Sequence, residues 1–246
     1  CRGGATPGVD PQTNTLPAGP VTDRSTSSPV VLSDGSVLYG AYTRYNGSRG
    51  HLFKFGAGGD VLATYPFGWD ITPAVRPHDA TYSILLKENH YAVGSYCGDP
   101  GFCPNTTPEY RVVSLDAALG QEWSFTNTTS QACSRQPDGT IACVPADPGG
   151  FEWCVNQPAV DGAGVTHINS EDGYLYALRP NGTMVGRIFL DTALGAAYTP
   201  LSIGPDGAIY TQNNGRLFAV GKTRALRDAP SPPPAGARKT RVLERH

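Results

Sequence analysis

Val165-Thr166-His167-Ile168, a turn at Asp172-Gly173, then Tyr174-Leu175-Tyr176-Ala177-Leu178: this run decides the fold, because it returns. Ahead of it stand Pro158-Ala159-Val160 and a turn at Gly164. From Pro200 the order repeats as Pro205-Asp206-Gly207, Ala208-Ile209-Tyr210-Thr211, Asn214-Gly215 and Arg216-Leu217-Phe218-Ala219-Val220. The step from Pro158 to Pro200 is 42 residues. A period of that length, built of short strands and Asx-Gly turns, predicts propeller blades.

Two earlier blades follow the same plan. The first opens at Ser28-Pro29-Val30-Val31-Leu32, turns at Ser33-Asp34-Gly35, and continues through Ser36 to Tyr42, Gly50 to Phe55 and Val61 to Tyr65. The second opens at Thr72-Pro73-Ala74-Val75, 44 residues after Pro29, with strands at Ser83 to Leu86, Tyr91 to Ser95, Tyr110 to Asp116 and Glu122 to Phe125. The third runs from Asn156 to about Leu190, and the fourth loses its pattern after Val220. The expected class is all-β: a propeller of four-stranded antiparallel blades, about four of them in this chain. An open arc of about four blades would leave two blade faces exposed to water, so the chain is expected to be completed by a protein partner or by a second copy of itself. Residues 28–221 form the blades, 1–27 an extended lead-in, 222–246 a Pro-rich linker and basic tail. Insertions fall at 96–109 and 126–154. The Gly, Asn-Gly and Asp-Gly turns are expected to be of types I′ and II′, which need positive φ.

Composition excludes some classes. The net charge of −2 offers no concentrated basic face for nucleic acid. No run of about 18 apolar residues exists, so no membrane-spanning helix is expected. Six cysteines point outside the cytoplasm. Cys97 and Cys103 flank one loop, Cys133 and Cys143 another, and each pair is expected to close a disulfide. Neither has zinc-site spacing. Cys1 is open to two readings: a lipid anchor at the start of a mature lipoprotein, or a disulfide to Cys154. The chain is expected to be periplasmic, outer-membrane-anchored or secreted.

Val112-Val113-Ser114-Leu115-Asp116-Ala117-Ala118-Leu119-Gly120-Gln121-Glu122-Trp123-Ser124-Phe125 resembles the blade repeat of pyrroloquinoline-quinone-type (PQQ-like) propellers. Gly173 to Leu178 and Gly215 to Val220 look like the same strand in other blades. The resemblance implies that Trp123 packs between blades. The superfamily includes quinoprotein dehydrogenases and non-catalytic scaffolds similar to the outer-membrane-assembly lipoprotein B. Its dehydrogenases use adjacent bonded cysteines, calcium and a catalytic Asp; this chain has no vicinal Cys-Cys pair.

No catalytic constellation stands out. His51 and His167 sit in strands, where a structural role is expected. His78-Asp79 is an isolated pair without a third partner. Asn169 to Gly173 carries oxygen ligands but lacks the glycine and final glutamate of a calcium loop, and reads as a hairpin turn. Asn46, Asn105, Asn127 and Asn181 begin glycosylation sequons. The leading expectation is a binding or scaffold subunit with no cofactor and a protein partner. The alternative is an enzyme with a central site near Asp70, Arg76, His78, Asn156 and Gln157, either a quinoprotein-like dehydrogenase holding calcium and PQQ, or a metal/His-dependent lyase or hydrolase.

Overall fold

The structure, a computed structural model, describes residues 27–42, 50–67, 72–90, 108–146, 150–153, 156–196 and 199–221. Residues 1–26 of the lead-in, the Pro-rich tail, Asp70, Tyr91 to Ser95, Cys97, Cys103 and Cys154 lie outside the described residues, and Cys1 with them.

Every described element is a β-strand. Blade 1 comprises β1 (Val30–Val31), β2 (Val37–Tyr42), β3 (Gly50–Phe55) and β4 (Val61–Phe67). Blade 2 comprises β5 (Ala74–His78), β6 (Thr81–His90), β7 (Glu109–Leu115) and β8 (Gln121–Thr126). A separate hairpin, β9 (Gln131–Arg135) and β10 (Ile141–Pro145), precedes blade 3. Blade 3 comprises β11 (Ala159–Val160), β12 (Thr166–Asn169), β13 (Tyr174–Leu178) and β14 (Met184–Phe189). Blade 4 has three described strands, β15 (Ser202–Ile203), β16 (Ile209–Asn213) and β17 (Arg216–Val220). In each sheet neighbouring strands are consecutive in sequence and antiparallel. The first strands of blades 2 and 3 lie beside one another, as blades arranged about an axis require. The chain is therefore all-β and built of propeller blades.

The turns differ from expectation. One five-residue turn recurs at Leu32–Ser36, Gly56–Asp60, Asp116–Gly120, Gln136–Thr140, Asp161–Val165, Ser170–Tyr174, Arg179–Thr183 and Gly204–Ala208. In each, the fourth residue's N–H donates to the first carbonyl, and the first N–H to the fifth carbonyl. This is a type I turn followed by one left-handed residue, the three-residue hairpin loop. Only that residue needs positive φ, so glycine stands there at 35, 59, 139, 164, 173, 182 and 207. Leu119 holds the position in blade 2 at φ 66° while its side chain enters the core. Asn214-Gly215, at φ 51° and 69°, is a two-residue loop of the expected primed kind. The Asx residue one or two places earlier is explained by its side chain. Asp34, Asp138, Asp172, Asn181 and Asp206 each accept the N–H two residues on through Oδ1.

Ser83 to Leu86 belongs to a longer strand than expected: β6 runs for 10 residues and carries Lys87, Glu88 and Asn89 inside it. The central strands of blades 2 and 3 are covered on both faces, which explains why their apolar runs do not alternate. Leu38, Leu52, Ile84, Leu86, Val113 and Leu115 fill the junction of blades 1 and 2. Tyr110, Val112, Trp153, Ile168, Tyr176 and Leu178 fill that of blades 2 and 3. Leu175, Leu190, Leu201 and Ile209 fill that of blades 3 and 4.

Candidate functional site

The polar residues of interest sit at the blade junctions. At junction 1–2, Lys54 on β3 donates to Asp34 at 3.1 Å, to the Tyr82 hydroxyl at 2.8 Å and to the Ala117 carbonyl at 2.9 Å. Tyr82 donates to the same Asp34 carboxylate. Hydrogen bonds from Ser36, then Tyr82 and Lys54, hold Asp34 well below the usual carboxylate range. Burial works against the Lys54 charge, but Tyr82 and Asp34 raise its pKa overall. Further out, Arg111 pairs with buried Glu88 at 2.8 Å, and the Tyr65 hydroxyl donates to Glu88 at 3.1 Å. Burial first, then the Glu88 charge, pushes the Tyr65 phenol up.

Junction 2–3 collects four of the five residues expected near a central site. Arg76 is 8% exposed; it donates to the Pro180 carbonyl at 2.7 Å and to Ser83 Oγ at 2.7 Å. His78 Nε2 meets the same Ser83 hydroxyl at 2.9 Å, and its Nδ1 lies 3.5 Å from Asp79. Asn156 donates to the Thr199 carbonyl at 2.8 Å and accepts from Lys87. Gln157 donates to the Pro73 carbonyl at 2.9 Å. Arg76, Asn156 and Gln157 therefore each tie one segment to another, whereas His78 stays within the β5–β6 hairpin, where it and Arg76 converge on Ser83. Asp70 lies outside the described residues. Among the described residues no three His, Cys, Asp or Glu side chains gather at metal-binding spacing.

Several further polar residues are buried in the blades. Lys87, 1% exposed, donates to Asn156 and, at 3.1 Å, to Asn169 Oδ1. Asn89 pairs with the Trp153 backbone through both its donor and its acceptor, each at 3.0 Å. Asn127, 2% exposed, reaches the Phe151 carbonyl and Ser170 Oγ, so its sequon is closed to glycosylation in this fold. Asn181 is exposed. Tyr176 donates to Asp172, and burial with the Asp172 charge pushes its phenol up. The available signal was polar residues inside β6: with both faces of the strand covered, Lys87 and Asn89 had to be buried.

Trp123 marks the rim of junction 2–3. Its indole N–H donates to the Pro180 carbonyl at 2.8 Å, and the ring lies over Gly182, whose φ is +80°. It thus docks between blades, as the repeat implies. Register identifies its counterpart in blade 3. The bulge after Ser114 sets Ser114 opposite Trp123; the matching bulge sets Ala177 opposite Gly186. At junction 3–4 the indole position is therefore glycine, and no atom lies within 4 Å of where its Cβ would stand. A groove of about 330 Å³ opens there, lined by Ala177, Gly186 and Ile188 on one blade and Gly207, Ile209 and Val220 on the next. His167 also lines it and bonds Asp161 at 3.1 Å. Burial opposes the Asp161 charge, but hydrogen bonds from His167, Val165 and Ala163 lower its pKa.

The hairpin β9–β10 clamps the link from blade 3 to blade 4. Cys133–Cys143 closes it as a disulfide, as the spacing led one to expect. Arg135 N–H donates to the Asp191 carbonyl at 2.7 Å and Ala193 N–H to the Cys133 carbonyl at 2.8 Å. The Arg135 guanidinium caps the Leu190 and Phe189 carbonyls. β10, by contrast, is exposed along its whole length, with Ile141 and Val144 in solvent.

No family model and no curated protein matches the chain. Solved structures that resemble it include BamB from Moraxella catarrhalis, at 14% identity and a TM-score of 0.35, covering 84% of this chain and 61% of that one. The Dos1 propeller matches at 13% identity and 0.37, covering 78% and 52%. The C-terminal WD40 domain of Sif2 matches at 12% and 0.30, covering 80% and 58%. The chain spans less than two thirds of each of these proteins.

Proposed function

We propose that this chain is the binding or scaffold part of a PQQ-like β-propeller working outside the cytoplasm. The observation that supports this best is the hairpin. A disulfide and the Arg135 contacts hold β9 on the blade 3–4 link, while β10 pairs, among the described residues, with β9 alone and carries two exposed aliphatic side chains. An extended peptide can add to such an edge through main-chain hydrogen bonds. The disulfide also favours an oxidising compartment. Arg76, Asn156 and Gln157 support the reading from the other side, since their polar atoms tie segments of the fold together. The reading calls on no cofactor. Its partner is another protein or a second copy of the chain.

Size-exclusion chromatography with light scattering is the test. A stoichiometric complex, or a dimer weakened by Ile141→Asp and Val144→Asp, is the expected result. A well-folded monomer with no partner in the preparation overturns it, as does a stoichiometric bound metal or quinone seen by metal analysis and visible absorption.

A further inference from the structure

We infer that β10 is the contact edge of a two-fold dimer, pairing antiparallel with β10 of a second copy of this chain in a register centred on Ala142. This rests on the scaffold reading and deepens it, by naming the partner and fixing where each residue falls.

The hydrogen-bond pattern of the hairpin sets which groups face outward. Gln136 N–H donates to the Thr140 carbonyl and Ala146 N–H to the Ser130 carbonyl; between them Ala142 stands opposite Ser134 and Val144 opposite Ala132. Hydrogen-bonded and non-bonded pairs alternate along an antiparallel ladder. Ala142 and Val144 therefore turn their main-chain groups to β9, while Ile141, Cys143 and Pro145 turn theirs away. The other edge of β9 is already used. Arg135 N–H reaches the Asp191 carbonyl, Ala193 N–H reaches the Cys133 carbonyl, and Ser134 bridges Thr192. β10 is exposed at all five positions and pairs, among the described residues, with β9 alone. Free edges are ordinarily guarded by charges, bulges or proline. From Ile141 to Val144 there is no charge and no proline, and Pro145 guards only the end.

The outward edge is its own complement. It offers N–H and C=O at Ile141 and at Cys143, and a C=O alone at Pro145. Centred on Ala142, an antiparallel second copy sets Ile141 opposite Cys143 twice, and every N–H and C=O of both residues is matched. Sliding one copy brings Pro145, which has no N–H, or Gly139, whose φ is 85°, into the ladder. The side chains agree with this register. Ile141, 46% exposed, lands beside the Cys133–Cys143 disulfide of the second copy, and Val144, 61% exposed, beside its Thr140. Asp138 falls opposite Ala146 rather than another charge. A contact of this kind closes on itself, as a two-fold dimer requires.

The test uses the purified full chain alone, by sedimentation and amide exchange over a range of concentrations. Dimer should form as concentration rises. The Ile141 and Cys143 amides should gain protection in step, and the Ala142 and Val144 amides, already in the β9 ladder, should not change. Ile141→Pro deletes one outward N–H from each copy and leaves the hairpin ladder intact. It should raise the dimer dissociation constant at least about tenfold while the thermal melt stays cooperative. Ala142→Cys sets one thiol of each copy at the dyad, where non-bonded pairs bring Cα atoms to about 4.5 Å. Oxidised glutathione should link the dimer through those two sulfurs, as peptide mass mapping would show. A dimer indifferent to Ile141→Pro, or one that Ala142→Cys does not link, overturns the inference. So does a chain that stays single yet forms a stoichiometric complex with a different protein through β10; the scaffold reading then stands and only its partner changes. A folded monomer with no partner at all removes both.

Discussion

Junctions 2–3 and 3–4 are built from the same repeat and finished differently. In the first, Trp123 covers Gly182 and donates to Pro180, Arg76 reaches the same carbonyl, and Trp153 is fully buried against Tyr176 with ring centroids 5.2 Å apart. In the second, Gly186 stands where Trp123 stood, and the groove is open. The lesson is that a blade repeat specifies the sheet, while the residue opposite the outer-strand bulge is free to differ, Trp123 at one of these junctions and Gly186 at the other. A sealed junction serves stability. An open one leaves surface that something else can occupy.

Four measurements would break or sharpen that contrast. Trp123→Ala opens the sealed junction and should cost about 3 kcal/mol in urea unfolding, whereas Ile188→Ala at the open junction should cost under about 1 kcal/mol because the side chain is half exposed. Equal losses would end the distinction. Removing the disulfide by Cys133→Ala with Cys143→Ala releases a loop with a sequence separation of 10. About 2.5 kcal/mol of hairpin stability should go, read as faster amide exchange in β9 and β10 with blades 1 and 2 unchanged.

The third compares two glycines of one hairpin. Gly182→Ala meets the Trp123 ring at 2.8 Å and a φ of +80°, and should destabilise by about 2 kcal/mol. Gly186→Ala meets nothing and should stabilise by about 0.5 kcal/mol, since alanine restricts the unfolded chain. A shift of the same sign in both thermal melts would refute the assignment of their positions.

The smallest effects are in pH. Asp34 at junction 1–2 and Asp161 beside the groove have lowered carboxyl pKa values, so the folded state holds their protons less tightly than the unfolded one. Their contribution is present above the ordinary carboxylate pKa of about 3.9 and fades as the pH drops below it. Tyr65 and Tyr176 are raised, so theirs is present below the ordinary phenol value of about 10 and fades above it. Asp161→Asn should flatten the acid limb slightly. Tyr176→Phe should flatten the alkaline limb, monitored by tyrosinate absorbance. A Tyr176 that titrates with the free phenols would contradict its burial beside Asp172.

The fold was legible because turn chemistry is local. Asp34-Gly35, Asn181-Gly182 and Asp206-Gly207 announce hairpins wherever they stand, since the Asx side chain captures an N–H two residues on and glycine accepts the left-handed conformation. The Trp123 docking and the Cys133–Cys143 bridge followed from the same repeat and spacing. The turn type was misjudged, because type I loops with one left-handed residue and primed loops draw on the same amino acids. The candidate site was read only in part. Arg76, His78, Asn156 and Gln157 were singled out by their place at blade openings, yet nothing in their spacing said that Arg76 and His78 would share Ser83 or that Asn156 would receive Lys87. Those pairings join residues up to 69 positions apart.

By itself, then, the amino-acid order determined the strands, the hairpins, their blade-length period and the closing of the hairpin loop. Those features depend on residues within a few positions of one another, or on a period that packing must respect. Only the tertiary structure decided which junction is sealed and which is open. That outcome depends on what the next blade presents across the gap: Pro180 and Gly182 beneath Trp123, and open space beside Gly186. A glycine in a strand reads the same in either case until its neighbour arrives.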